Sequence, residues 1–85
     1  MTNISPALVV DSPRMASLMQ NLSNELRIPG NRLHGFVRLQ DDLFLDRMDV
    51  DLLIASLESR LEYYLTEEET AQIETVGDLQ HFFLR

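Results

Sequence analysis

Two kinds of side chain in this sequence could take part in acid–base or metal chemistry: two histidines and a run of carboxylates. His34 and His81 are the only imidazoles, and each lies in a region with little pattern around it. The stretch DDLFLDRMDVD at 41–51 is rich in aspartate, but it lacks the glycine and the terminal glutamate of an EF-hand loop. There is no cysteine, no glycine-rich phosphate loop, and no HExxH or GxSxG motif. The sequence therefore predicts neither an enzyme nor a dedicated metal site.

The hexapeptide LDRMDV at 45–50 has the form of a helix start, with an unsuitable residue in its first position. Asp46 is suited to the N-cap, and Asp49 follows three residues later. Arg47 then lies at the positive end of the helix dipole, a mismatch of roughly 0.3–1 kcal/mol at an exposed site. The free backbone N–H groups of a first turn also favour an anion over a guanidinium. Position 47 is therefore the point at which the sequence departs from ordinary helix chemistry.

Length and charge restrict the class of protein and of partner. The chain has 85 residues, enough for one small domain, and a net charge of −7. Residues 41–74 carry eleven acidic and two basic side chains, a net charge of −9, and the remainder is +2. This concentration of negative charge argues against nucleic acid and favours a partner with a basic surface.

The hydrophobic pattern predicts four helices. The first has Ser12 as its N-cap and Pro13 in its first turn, and it reaches about Arg27. The second extends from Asp46 to about Tyr64. Two S/T-x-x-D/E boxes, which begin at Thr66 and Thr75, open a short third helix to about Ile73 and a fourth helix. The side chains expected to face the core are Met15, Leu18, Met19, Leu22, Leu26, Val50, Leu53, Ile54, Leu57, Leu61, Tyr64, Val76, Leu79, Phe82 and Phe83.

The expected architecture is an all-α four-helix bundle with three longer helices, one short one, and a long loop between helices one and two. The loop should include a short helical turn near 32–36, and its apolar side chains (Ile28, Leu33, Phe36, Val37, Leu39, Leu43) should pack into the fold. Residues 1–11 are expected to form a flexible arm and residues 12–85 the bundle. Because we find neither a signal-peptide pattern nor an apolar run near the ~20 residues of a membrane span, we expect a cytoplasmic protein. Nothing in the sequence demands more than a monomer.

One flank of the second helix is a candidate docking surface for another protein. Asp51, Glu58 and Glu62 share this flank, with Ala55 between them at helical spacing. Met48 and Leu52 fall off the inward stripe and should form a small exposed apolar patch beside the acids. A plain solvated face would show the same pattern. On the functional interpretation, the acids attract a basic partner and the apolar pair supplies the contact from which water is excluded.

From about residue 24 to residue 83, the chain resembles an acyl carrier protein without a gap. NELRIPGNRL is similar to the end of the family's first helix and the following loop, and LQDDLFLD resembles its F-x-x-D-L-G-x-D segment. LLIASLESRLEYYLTEEETAQIETVGDL resembles the second-helix core, the short acidic third helix and the T-V entry to the fourth. The resemblance implies a four-helix carrier fold, docking through helix two, and a role in fatty-acid, polyketide or related acyl chemistry.

In the family, a D-S-L pattern at the start of helix two holds the serine that carries 4′-phosphopantetheine. Here the pattern reads Asp46-Arg47-Met48, so no hydroxyl is present to form the phosphoester. Ser56 and Ser59 lie more than two turns further along the helix. We therefore expect no 4′-phosphopantetheine and no other cofactor on this chain.

Other departures from the family pattern surround Arg47. Phe44 and Leu45 stand where the family has glycine and a small residue, and Asp51-Leu52 replaces an apolar-then-acidic pair. Departures at several positions favour natural divergence over a single engineered substitution. The cation at position 47 is expected to pair with Asp49, with Asp51 or with a carboxylate of a partner, which would offset the dipole mismatch.

Three hypotheses of function follow. In the first, the protein is an unloaded, acyl-carrier-like interaction module that works beside enzymes of acyl metabolism. In the second, it is a functional carrier in a serine-to-arginine or unconventional form. In the third, it is an unrelated acidic helical adaptor. Under the first hypothesis, the residues expected to contact the basic surface of a partner are Asp46, Arg47, Met48, Asp49, Asp51, Leu52, Ala55, Glu58 and Glu62.

Overall fold

The computed structural model describes residues 13–85. Within this range there are four α-helices and one 3₁₀ turn, in the order α1 (Pro13–Leu26), the 3₁₀ turn (Gly30–Arg32), α2 (Arg47–Leu61), α3 (Glu67–Ala71) and α4 (Val76–Phe83). The prediction of an all-α, four-helix bundle with one short helix is confirmed. The predicted N-cap at Ser12 and the predicted arm at 1–11 lie outside the described residues.

One apolar core holds the helices together. Helix α1 packs against α2, the 3₁₀ turn and α4. The predicted inward faces of α1 and α4 are confirmed, with Leu18 and Leu22 buried on α1 and the whole predicted stripe of α4 buried. The buried apolar side chains are Leu18, Leu22, Leu33, Val37, Leu39, Val50, Leu53, Ile54, Leu57, Ile73, Val76, Leu79, Phe82 and Phe83.

The long loop between α1 and α2 is fixed to the start of α4 by backbone hydrogen bonds. The N–H of Leu39 donates to the carbonyl of Glu74 (2.9 Å), and the N–H of Val76 donates to the carbonyl of Val37 (2.9 Å). Gly77 N–H lies 2.8 Å from the carbonyl oxygen of Gly35, and a Cβ at Gly77 would come within 2.9 Å of that oxygen. The loop is therefore a packed part of the fold, as predicted.

Two details of the loop prediction are wrong. The helical turn lies at Gly30–Arg32, immediately after Pro29, and not near 32–36. Phe36 is 77% exposed and stacks on the imidazole of His34 at a centroid distance of 5.2 Å. At this point the main chain of Gly35 packs directly against Gly77, and the neighbouring Phe36 ring stacks on His34 at the surface.

Helix α2 ends earlier than predicted. Its last residue is Leu61, and Glu62 takes a left-handed conformation (φ 53°) while its N–H donates to the carbonyl of Glu58. This reversal breaks the helical periodicity, so Tyr64 is 68% exposed and not part of the core, which corrects the prediction. Tyr63 instead packs edge-on against Phe83, at a centroid distance of 6.2 Å.

The two predicted capping boxes are confirmed. The Thr66 hydroxyl accepts from the N–H of Glu69, and Thr75 makes the same contact with Asp78. The returning hydrogen bond from the N–H of Thr66, aided by Arg85, holds the pKa of the Glu69 carboxyl below its ordinary value. Helix α3 ends at Ala71, two residues before the predicted end, and Ile73 is buried in the turn that follows.

Candidate functional site

The site begins with a capping box at the first turn of α2. The Asp46 carboxylate accepts from the N–H of Asp49 at 2.8 Å, and the Asp49 carboxylate accepts from the N–H of Asp46 at 3.3 Å. Both acids therefore satisfy backbone donors that a helix start leaves unpaired. Asp46 and Asp49 are both exposed, so this turn of α2 faces solvent.

Arg47 is held by contacts with two helices. Its Nη2 lies 3.1 Å from Oδ1 of Asp51, one turn further along α2, and donates to the carbonyl oxygen of Thr70 in α3 at 3.2 Å. Both acceptors carry negative charge, full on the carboxylate and partial on a carbonyl near the end of a helix. The guanidinium is thus directed to acceptors and not to the free N–H groups of the first turn. These contacts offset the mismatch between a cation and the start of a helix. Of the partners expected for Arg47, the structure contains Asp51.

Phe44 is the second unusual residue of the site. Its φ of 59° lies in the left-handed region, which disfavours a bulky side chain by roughly 1–2 kcal/mol. Phe44 is 87% exposed, so packing within the described residues does little to compensate for this strain. The position matches the glycine of the family's F-x-x-D-L-G-x-D segment, and glycine is the residue that adopts this conformation freely.

The predicted apolar patch on α2 is exposed. Met48 and Leu52 are 70% and 63% exposed, and they lie one turn apart on the helix. Leu52 also borders a groove of about 270 Å³ between α1 and α2, which is lined by Glu25, Leu26, Leu45, Asp49, Leu52 and Leu53. The groove combines apolar walls with two carboxylates.

The remaining residues of the predicted docking surface are not equivalent. Asp51 and Ala55 are exposed, although Asp51 is engaged by Arg47. Glu58 is partly buried, and its carboxylate accepts from the N–H of Leu65 at 2.8 Å, so it stabilises the chain reversal after α2. Glu62 is exposed, but as the C-cap it lies beyond the last helical residue.

The predicted docking residues at the start of α2 therefore lie on one exposed surface. They are Asp46, Arg47, Met48, Asp49, Asp51 and Leu52. Sequence reasoning missed two contributors. Thr70 is separated from Arg47 by 23 positions and contributes only a carbonyl, which no side-chain pattern reveals. The left-handed main chain at Phe44 could have been found, because the family pattern has a glycine there.

The groups exposed at the start of α2 are carboxylates, one guanidinium and apolar side chains. Within residues 13–85, no three histidine or acidic side chains are grouped so that they could hold a metal ion. None of the helices in this range has the length and apolar character that a bilayer crossing requires. What the site offers chemically is a charged and apolar contact surface.

Comparison with known proteins identifies the family. No family model matches the chain. The chain is 40% identical over 65 residues to the acyl carrier protein MbtL of Mycolicibacterium paratuberculosis (strain ATCC BAA-968 / K-10), a match covering 76% of this chain and 73% of the relative. It is 34% identical over 65 residues, with the same coverage, to the acyl carrier protein MbtL of Mycobacterium sp. (strain MCS).

Both relatives carry the same family name, and each match extends over about three quarters of this chain. These matches contradict the hypothesis of an unrelated helical adaptor. Acyl carrier proteins are carriers and not enzymes, which confirms the prediction that the chain is not a catalyst. With an all-α bundle of four helices and relatives that share up to 40% of the aligned residues, this chain belongs to the acyl carrier protein family.

Proposed function

We propose that this chain is an acyl-carrier-like protein that receives no 4′-phosphopantetheine and acts as a protein-interaction module beside enzymes of acyl metabolism. The observation that carries the proposal is the guanidinium of Arg47, which stands at the family's attachment position and is held by Asp51 and Thr70. A guanidinium has no oxygen from which a phosphoester can form.

Other hydroxyl groups offer no ready substitute. Ser56 is nine positions beyond Arg47, roughly 13 Å along the helix axis. Thr70 borders the site, but its hydroxyl donates to the carbonyls of Thr66 and Glu67 within its own helix. A transferase that recognises the first turn of α2 would therefore find no free nucleophile in the expected position.

The contact surface supports the binding half of the proposal. Phe44, Met48 and Leu52 supply exposed apolar area, and the neighbouring aspartates supply negative charge. A carboxylate has two oxygens with several acceptor positions, so the capping hydrogen bonds leave acceptors for a basic partner. The partner class we infer is a protein with a basic rim around an apolar contact.

A second candidate function is that of a loaded carrier with an unconventional attachment. It is favoured by the similarity to two proteins named as acyl carrier proteins. The two candidates differ in one measurable property, the presence of a covalent arm.

The deciding experiment is mass spectrometry of the purified chain after treatment with a phosphopantetheinyl transferase and coenzyme A. We expect no gain in mass, while a conventional acyl carrier protein treated in parallel gains one phosphopantetheine group. A gain of that group on this chain would refute the proposal, and peptide mapping would then locate the modified residue.

The Arg47→Ser variant is the matched test of the site. Modification of this variant alone would show that the transferase recognises the scaffold and that the side chain at position 47 is what prevents loading. Protein isolated from its own host and found to bear a covalent thiol-ended arm would overturn the proposal independently.

A further inference from the structure

A cavity at the opposite end of α2 differs in charge from the docking surface. It has a volume of about 240 Å³ and lies where the N-terminal part of α1 meets the C-terminal parts of α2 and α4. We call it the distal cavity. Its lining includes two arginines, Arg14 and Arg60, and no described carboxylate. In a chain with a net charge of −7, two guanidiniums on one cavity are a local reversal of the overall charge.

Arg14 is held in place by contacts that leave it able to bind a further group. It donates from Nη2 to the carbonyl oxygen of Phe83 at 2.7 Å, and its guanidinium lies over the ring of Tyr63 at 5.6 Å from the centroid. A guanidinium has five N–H donors, so one hydrogen bond leaves others for an acceptor in the cavity. Because these contacts fix the side chain, less conformational entropy is lost when an anion binds.

Arg60 is less tightly engaged. Its Nε lies 3.6 Å from Oε2 of Glu25, a separation too long for a hydrogen bond. Both side chains of this pair are partly exposed, so the interaction is weak. A carboxylate or phosphate in the cavity could therefore compete for Arg60 with two parallel N–H···O bonds.

The rest of the lining is apolar or hydroxylated. Phe83 is 1% exposed and forms part of the floor with Leu61 and Tyr63, while Ser17 adds a hydroxyl. The volume of about 240 Å³ is below the roughly 300–1,000 Å³ of pockets that hold drug-sized ligands. The cavity therefore fits an anionic headgroup with a short hydrocarbon tail.

We propose that the distal cavity binds a small organic anion, a carboxylate or phosphate monoester with a short apolar tail, through Arg14 and Arg60. This binding is independent of the function proposed for the start of α2. Arg47 and Arg60 are 13 positions apart on one helix, roughly 20 Å along its axis.

The test is an NMR titration of the full 85-residue chain with three probes of equal tail length: hexanoate, hexyl phosphate and hexanol. We expect saturable shifts at the cavity with both anions, dissociation constants in the millimolar range, and weaker binding at higher salt. Tighter binding of hexanoate would assign the ligand as a carboxylic acid, and tighter binding of hexyl phosphate would assign it as a phosphate ester. Hexanol should bind far more weakly, because it offers no charge to the arginines.

Arg60→Gln is the informative variant, since Arg14→Gln also removes the hydrogen bond to Phe83. Arg60→Gln should weaken anion binding about tenfold, with only a small change in melting temperature. Arg32→Gln, which removes an exposed arginine outside the cavity, is the matched control and should leave binding unchanged. The proposal is overturned if neither anion gives saturable shifts, if hexanol binds as tightly as hexanoate, or if the Arg60 and Arg32 variants bind equally.

Discussion

The two ends of α2 place arginine in opposite surroundings. At the first turn, Arg47 is surrounded by acids, and its Nη2 is engaged by Asp51 and by the carbonyl of Thr70. At the last turn, Arg60 shares a cavity with a second arginine and has a weak contact with one glutamate. The comparison teaches that an arginine's role depends on the acceptors within its reach. Arg47 is engaged at the surface by acceptors of its own chain, whereas Arg60 keeps donors for a ligand.

The largest expected effect concerns the docking surface. Replacing Asp51 and Glu62 by lysine should slow association with a basic acyl-chain enzyme by about tenfold or more, because electrostatic steering is reversed. Glu58 is left unchanged because its carboxylate holds the N–H of Leu65. Stopped-flow or surface-binding kinetics at low and physiological salt measure the effect.

Asp41→Lys with Glu74→Lys is the matched control, since it alters the net charge equally on exposed residues outside α2. The control should change the association rate much less than the α2 variant. Equal slowing by both pairs would mean that net charge, and not a surface on α2, attracts the partner.

The next effect is on stability at the loop that precedes α2. Phe44→Gly should raise the free energy of unfolding by about 1 kcal/mol, because the left-handed conformation is strained for phenylalanine and accessible to glycine. Urea denaturation measures this change. Phe36→Gly, at another exposed loop aromatic whose φ is not positive, should give no such gain. A loss of stability on Phe44→Gly would show that the exposed ring makes stabilising contacts.

A smaller effect is expected at Arg47 itself. Arg47→Ser removes an exposed ion pair and one hydrogen bond but also removes a cation from the start of the helix, so the net change should stay within about 0.5 kcal/mol. The change in unfolding free energy is compared with that of Arg60→Ser, which removes an arginine at the other end of α2. Unfolding of the Arg47→Ser variant would instead make Arg47 a residue that the fold requires.

The smallest effect concerns pH at the start of α3, where the Arg85 guanidinium pairs with the Glu69 carboxylate. The hydrogen bond from Thr66, together with Arg85, lowers the pKa of Glu69 from its ordinary 4.5. The stabilisation is therefore fully present above pH 4.5 and is lost as the pH falls through the lower, folded-state pKa. When the pH is lowered from above 4.5 to below the folded-state pKa of Glu69, the melting temperature should fall more for the native chain than for Glu69→Gln. Parallel curves of melting temperature against pH for the two proteins would contradict this role of Glu69.

Sequence reasoning was most successful where local chemistry decides the structure. The capping boxes at Thr66 and Thr75 each need only residues three positions apart, and both form as predicted. It was least successful where the outcome depends on distant main chain. Phe36 is exposed next to the Gly35–Gly77 backbone contact, which joins positions 42 apart and has no local signature in the sequence.

The candidate site shows the same division. The exposure of Met48 and Leu52 followed from helical periodicity, and the Arg47–Asp51 pair was among the expected partners. The bond from Arg47 to Thr70 and the structural use of Glu58 could not be predicted, because both depend on how α3 returns to α2. The distal cavity was not predicted either, since its lining comes from three separate helices and the turn after α2.

The left-handed main chain at Phe44 has a consequence for mutational screens. In a saturation library at this position, sorting for thermal resistance should enrich glycine, asparagine and aspartate, which tolerate the backbone geometry. Sorting for capture of a partner should enrich aromatic and large aliphatic residues instead. If the two screens enrich different residues, position 44 is one at which the residue that favours partner binding lowers the stability of the fold.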